Sequence, residues 1–175
     1  EGFGRLLLDN SLFFTGDARK LQVVDVRRAS GLSTGGQATY PITIASSGQP
    51  LRITMVFTAP PATVNAANPV INNLDLEVTG PGAVVYLGNV YAAGQSATGG
   101  AADAKNNVEM VILNAPPPGT YSVKVKGTAV NTGPQGFALV MTGDLGSACT
   151  GAGVGSSPGN LIVSDGQPAS FSVTG

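Results

Sequence analysis

The chain has 175 residues, of which 42% are hydrophobic and only 11% charged, and its nine basic and ten acidic side chains leave a net charge of −1. That balance excludes a disordered tail, and scattered charges without an aromatic and arginine platform exclude a nucleic-acid binder. No apolar run approaches the roughly 20 residues that cross a bilayer, so no membrane partner is expected either.

Histidine is absent, which removes the usual general base of serine and cysteine hydrolases and the commonest zinc ligand. The single cysteine, Cys149, cannot form an internal disulfide and reads as a spare thiol in a Gly/Ser/Ala-rich stretch. An extracellular domain without disulfides often uses another staple, and calcium is the obvious candidate. The 25 Gly and 12 Pro punctuate the chain too often for long helices, while Val, Thr and Ile recur throughout. The expected class is all-β.

In chain order, residues 1–20 read as a connection rather than a strand. Leu6, Leu7, Leu8, Leu12, Phe13 and Phe14 would be sticky on a free terminus. They either cover one end of the domain or contact a preceding one. Alternation of period two then begins. Tyr40, Ile42 and Ile44 share one face, as do Leu51, Ile53, Met55 and Phe57, and then Leu74, Leu76 and Val78. The same pattern returns in Tyr121, Val123 and Val125 and in Phe137, Leu139 and Met141. Pro41 inside its run predicts an edge strand or a bulge. Turn signals separate the runs: SSGQP at 46–50, GPG at 80–82, PPPG at 116–119 and NTGPQG at 131–136.

Residues 59–72 and 89–107 read as long loops, the usual places for function or a metal on a rigid sandwich. The spacing predicts an antiparallel jelly-roll or Greek-key β-sandwich over residues 21–145. After it, 146–175 reads as a flexible linker followed by the opening hairpin of an immunoglobulin-like module.

Several phrases carry a resemblance over about residues 1–144. They are GFGRLLLDNSLF at 2–13, LSTGGQATYPITIASSGQPLRITMVFTAPP at 32–61, INNLDLEVTGPG at 71–82, YLGNVY at 86–91 and NNVEMVILNAPPPGTYSVKVKGTAVNTGPQGFALVMTG at 106–143. In this order they resemble the C-terminal jelly-roll, P-domain-like region of bacterial subtilisin-like serine proteases of the high-molecular-mass alkaline type. The resemblance implies a secreted, non-catalytic domain that packs on the subtilisin-like catalytic domain of the same polypeptide. It also implies that the domain binds calcium, stabilises the enzyme and assists binding of a protein substrate, with the catalytic triad lying upstream of Glu1.

By the same resemblance, Asp75, Asp103 and Glu109 match acidic positions at one calcium site, helped by a main-chain carbonyl near Lys105. From the residues alone the alternative stays open: a solvated acidic face, with Asn106 and Asn107 capping a turn. The chain departs from the family at Phe57, Ala59, Asn72, Asn73 and Val90, so one calcium site is expected rather than two.

Two other functional classes fit a jelly roll. A free-standing extracellular module could bind a protein fibre or polysaccharide through the long loops, although Trp is absent and only Tyr86 and Tyr91 lie near a loop. Asp75 with Glu109 could form the carboxylate pair of a glycosidase, but no aromatic sugar platform accompanies them.

Overall fold

A computed structural model describes residues 12–14, 16–67 and 69–146. Among these residues nine strands build two antiparallel sheets: β1 (Lys20–Val26), β2 (Gln37–Ile44), β3 (Leu51–Val56), β4 (Asn72–Thr79), β5 (Val85–Ala92), β6 (Gln95–Thr98), β7 (Val108–Leu113), β8 (Gly119–Val130) and β9 (Phe137–Gly143). The first sheet has the order β1-β9-β3-β7 and the second β2-β8-β4-β5-β6.

The pairings β1 with β9, β2 with β8, β3 with β7 and β4 with β5 describe one long hairpin rolled up on itself. That is a jelly roll, with β6 added as a short edge strand. The all-β sandwich expected from the alternating runs is therefore the fold observed.

Period-two burial explains the two layers. Ile42 and Ile44, Leu51, Ile53 and Met55, Leu74 and Val78, Val123 and Val125, and Leu139 and Met141 are all buried between the sheets. The four turn segments fall where the sequence places them, each between two strands. Pro41 sits on β2, the edge of the second sheet, where its missing N–H costs no ladder bond. Tyr121 is buried, with its hydroxyl donating to the Pro117 carbonyl (2.9 Å), and Tyr40 meets Phe137 edge-on with ring centroids 6.4 Å apart.

One expectation is corrected. Residues 89–107 are not a continuous loop, because β5 runs on to Ala92 and β6 follows at Gln95–Thr98. Their Ala, Gly and Ser residues lack the β-branched signature, so tertiary pairing rather than local propensity makes them strands. The described residues of the other segment, 59–67 and 69–71, do remain without a strand. Leu12, Phe13 and Phe14 are exposed ahead of β1. Leu6–Leu8, Cys149 and the expected linker and immunoglobulin-like hairpin lie outside the described residues.

Candidate functional site

The residues singled out for chemistry converge where β4 and β5 part company. The two strands pair from Glu77↔Leu87 to Thr79↔Val85. Beyond Leu87 the β5 ladder shifts at a bulge and Asn89 takes a positive φ of 61°. Asn tolerates that left-handed geometry better than most residues. Glu109, on the inward face of β7, fills the resulting gap. It is 0% exposed, and the Leu76 N–H donates to its Oε2 at 2.8 Å.

Gly88 forms the roof of this pocket. A methyl group there would overlap Oε2 of Glu109 and come within 2.8 Å of its Cβ. Glycine is required here by close approach rather than by its φ.

Burial pushes the Glu109 carboxyl up to about 8. The Leu76 N–H opposes that rise, and the negative charges of Asp75 and Asp103 add to it. Its other oxygen, Oε1, is buried without a hydrogen-bond partner. The Asn73 Oδ1 is the second buried side-chain oxygen without one among the described residues. Asp75 joins the two sites: Asn73 Nδ2 donates to its Oδ1 at 2.9 Å, Thr128 donates to its Oδ2, and its charge acts on Glu109. The sequence places Asp75 on the solvated side of its strand; its side chain is instead buried there beneath these partners.

Asp103 has a different role. Its Oδ1 accepts the main-chain N–H groups of Lys105 (2.9 Å) and Asn106 (3.2 Å). Its Oδ2 accepts Asn89 Nδ2 (2.7 Å) and Asn106 Nδ2 (2.6 Å). Partial burial pushes this carboxyl up, but those four donors outweigh it and hold the pKa below the ordinary value. Asp103 thus clamps the 103–106 turn to β5, with Asn106 capping the turn as the residue pattern allows. Asn107 instead donates to the Phe57 carbonyl (3.0 Å).

Asn89 extends the clamp to the open edge of the first sheet. It donates to the Val108 carbonyl (2.9 Å) and accepts the Met110 N–H (3.0 Å). Tyr91 donates its hydroxyl to the Met110 carbonyl (3.1 Å), and Ser96 accepts the Ile112 N–H (2.9 Å). The exposed ladder of β7 is therefore capped by side chains of β5 and β6. Tyr86, one of the two loop-side tyrosines, packs against the core.

The three acidic residues expected at a metal site thus surround one region, with Glu109 at its centre, but do not stand equivalent. Among the described residues no three Asp, Glu, His or Cys side chains converge tightly enough to hold an ion by themselves. The oxygens left without a partner are one carboxylate oxygen and one amide oxygen, Glu109 Oε1 and Asn73 Oδ1. Carboxylate and amide oxygens are the donor types that a hard cation such as calcium takes, together with main-chain carbonyls and water. Sequence reasoning named Asn73 only as a departure from the family pattern and passed over Gly88 and Asn89, for which the Gly-Asn pair within YLGNVY was the local signal.

No family model matches the chain. Over 131 residues, 66% of the chain, it is 31% identical to the serine protease/ABC transporter B family protein tagD of Dictyostelium discoideum. Over 96 residues, 53% of the chain, it is 35% identical to the serine protease/ABC transporter B family protein tagB of the same organism. The chain spans only 7% and 5% of the lengths of these two proteins. The similarity links the chain to proteins named as serine-protease-related, through a small segment of each.

Proposed function

We propose that the chain is a non-catalytic accessory domain of a secreted subtilisin-like serine protease, stabilised by one calcium ion and assisting the binding of protein substrate. The observation that carries the calcium reading is the buried Oε1 of Glu109, an acceptor without a donor beside Asp75. A buried anion is costly unless paired, so this position calls for a proton or a cation. Glu109, Asp75 and the Asn73 amide oxygen would hold the ion, while Asp103 fixes the adjoining turn. Bound there, calcium would neutralise the clustered carboxylates and lock β4, β5 and β7 together. The partner in this reading is the catalytic domain of the same polypeptide, and the similarity to two serine-protease-related proteins supports it.

Thermal unfolding with calcium and with excess chelator tests the reading. Chelation should lower the melting temperature, and Glu109→Gln should remove most of that response because it deletes the charge but keeps the shape. Asp103→Ala should weaken the response through the loosened turn. Identical melting curves with calcium and with chelator would overturn the assignment.

A further inference from the structure

A strand at the edge of a sheet turns about half of its N–H and C=O groups away from its one neighbour, and folded chains blunt such edges. Three of the four sheet edges among the described residues are blunted. β7 is capped by Asn89 and Tyr91 of β5 and Ser96 of β6. β6 has only four residues, and its pairing with β5 is irregular. β2 carries Pro41, which lacks an N–H, and the main chain of Asp144–Gly146 bridges its last residues, the Gly146 N–H donating to the Thr43 carbonyl (2.7 Å).

β1 has none of these devices. Its seven residues pair with β9 in unbroken register from Lys20↔Gly143 to Val26↔Phe137, without proline, glycine or bulge. Among the described residues no strand pairs with its other side. Val24 and Val26 pack against the core, and alternation sets Lys20 and Gln22 on that same face. Leu21, Val23 and Asp25 face outward, with Val23 57% exposed at the middle of the strand. Lys20 and Asp25, the two charges of β1, have no ion-pair or hydrogen-bond partner among the described residues.

We infer that β1 takes up an extended peptide segment of another polypeptide as a fifth strand of the first sheet. The unpaired ladder sets the conformation of that partner, since only an extended main chain matches it. The two charges set its chemistry. Running antiparallel, the segment places an acidic side chain opposite Lys20, an apolar one opposite Val23 and a basic one opposite Asp25, at the roughly 5 Å spacing of cross-strand pairs. A second copy of this chain cannot supply that match. In a two-fold pairing of β1 with β1, side chains share a face only where the opposed residue numbers sum to an even value. Lys20 then meets Val24 or another even-numbered residue of the copy and never Asp25. The pairing requires neither bound calcium nor a protease, so it stands or falls independently of the proposed function.

The probe is acetyl-Thr-Lys-Val-Val-Thr-Val-Glu-amide, whose Lys falls opposite Asp25, its second Val opposite Val23 and its Glu opposite Lys20. It is titrated into the isotope-labelled 175-residue chain while amide resonances and exchange are read by NMR. Shifts should concentrate on Lys20–Val26, and exchange should slow at every second amide of that strand, those turned away from β9. N-methylating alternate residues of the peptide should weaken binding about tenfold or more in one phase of the alternation and far less in the other, because only one set of its N–H groups faces β1. Asp25→Lys should weaken binding about two- to five-fold, and exchanging the peptide's Lys for Glu should restore it. Absence of β1 shifts with the probe and with analogues bearing Ile, Tyr or Thr in place of its valines would overturn the inference. So would equal loss of binding in both phases of methylation. Slow exchange of the outward β1 amides before peptide is added would overturn it too: if independent of concentration, the chain's own residues occupy the edge, and if accompanied by dimer in sedimentation, a second copy does.

Discussion

Gly88 and Glu109 are fitted to each other: the glycine leaves the space that the buried carboxylate occupies, and a single added methyl would overlap Oε2. β5 and β7 belong to different sheets, so this contact couples the two layers at the point where the β4–β5 ladder ends. Gly88→Ala should therefore destabilise the chain by about 1–3 kcal/mol, the usual cost of overpacking a rigid site. In Glu109→Ala that cost should largely vanish, because the obstructing side chain is gone. Chemical denaturation of the two single variants and the double variant measures this coupling, and additive effects would mean that the pair does not interact.

Asn89 should matter more than its place on an edge strand suggests. It holds Asp103 at 2.7 Å, the Val108 carbonyl at 2.9 Å and the Met110 N–H at 3.0 Å from a left-handed backbone. Asn89→Ala removes one of the four donors to Asp103, takes the side-chain partner from the Val108 carbonyl and the Met110 N–H, and adds backbone strain, a loss of about 2–4 kcal/mol. Asn89→Gly keeps the backbone geometry and should cost less. Amide exchange should quicken at Met110 and at Lys105–Asn106 in both variants, and unchanged exchange would argue against the capping role.

The pH dependence of the calcium-free chain should carry the signature of Glu109. Its carboxyl is raised from 4.5 in the unfolded reference to about 8 in the fold. Between those values the folded state holds a proton that the unfolded state has released. Stability therefore falls as pH rises from about 4.5 to about 8 and levels off above it, by an amount on the order of a few kcal/mol. Glu109→Gln should flatten this slope. Denaturation midpoints in chelator at pH 5 and pH 8 supply the check.

Glu77 gives the opposite sign. The hydrogen bond from Lys126 comes first in lowering its pKa, with Lys124 adding to it against partial burial. Its contribution is present above the ordinary carboxylate pKa and is lost as pH falls through the lowered folded value. The pair stands near the surface, so Glu77→Gln should cost less than about 1 kcal/mol and less still in high salt. A larger, salt-independent loss would point to a role beyond this ion pair.

The legibility of the sequence followed the polarity of each strand's own outward residues. β2, β3 and β8 alternate between buried apolar and more exposed, mostly polar residues, and their cores could be read residue by residue. β7 and β1 hid themselves. VEMVIL places a glutamate inward and Val108, Met110 and Ile112 outward, while KLQVVDV puts valines on both sides. Alternation fails where a strand's own outward residues are apolar and where its inward face holds a carboxylate, as in β7. Asp75 and Glu109, both named from the sequence, act on one another in the fold, whereas the bulge at Gly88–Asn89 beside Glu109 depends on β5 meeting β7. That contact is tertiary and leaves little local trace.

Calcium titration of the chelator-stripped chain by isothermal calorimetry, in buffers of different ionisation enthalpy, addresses the metal site most directly. At pH 7 the expected result is one ion bound per chain with net proton release, since binding must displace the proton from Glu109. The same titration of Glu109→Gln should give no comparable binding. Absence of calcium binding to the unaltered chain, or equal binding without proton release by both proteins, would contradict the site.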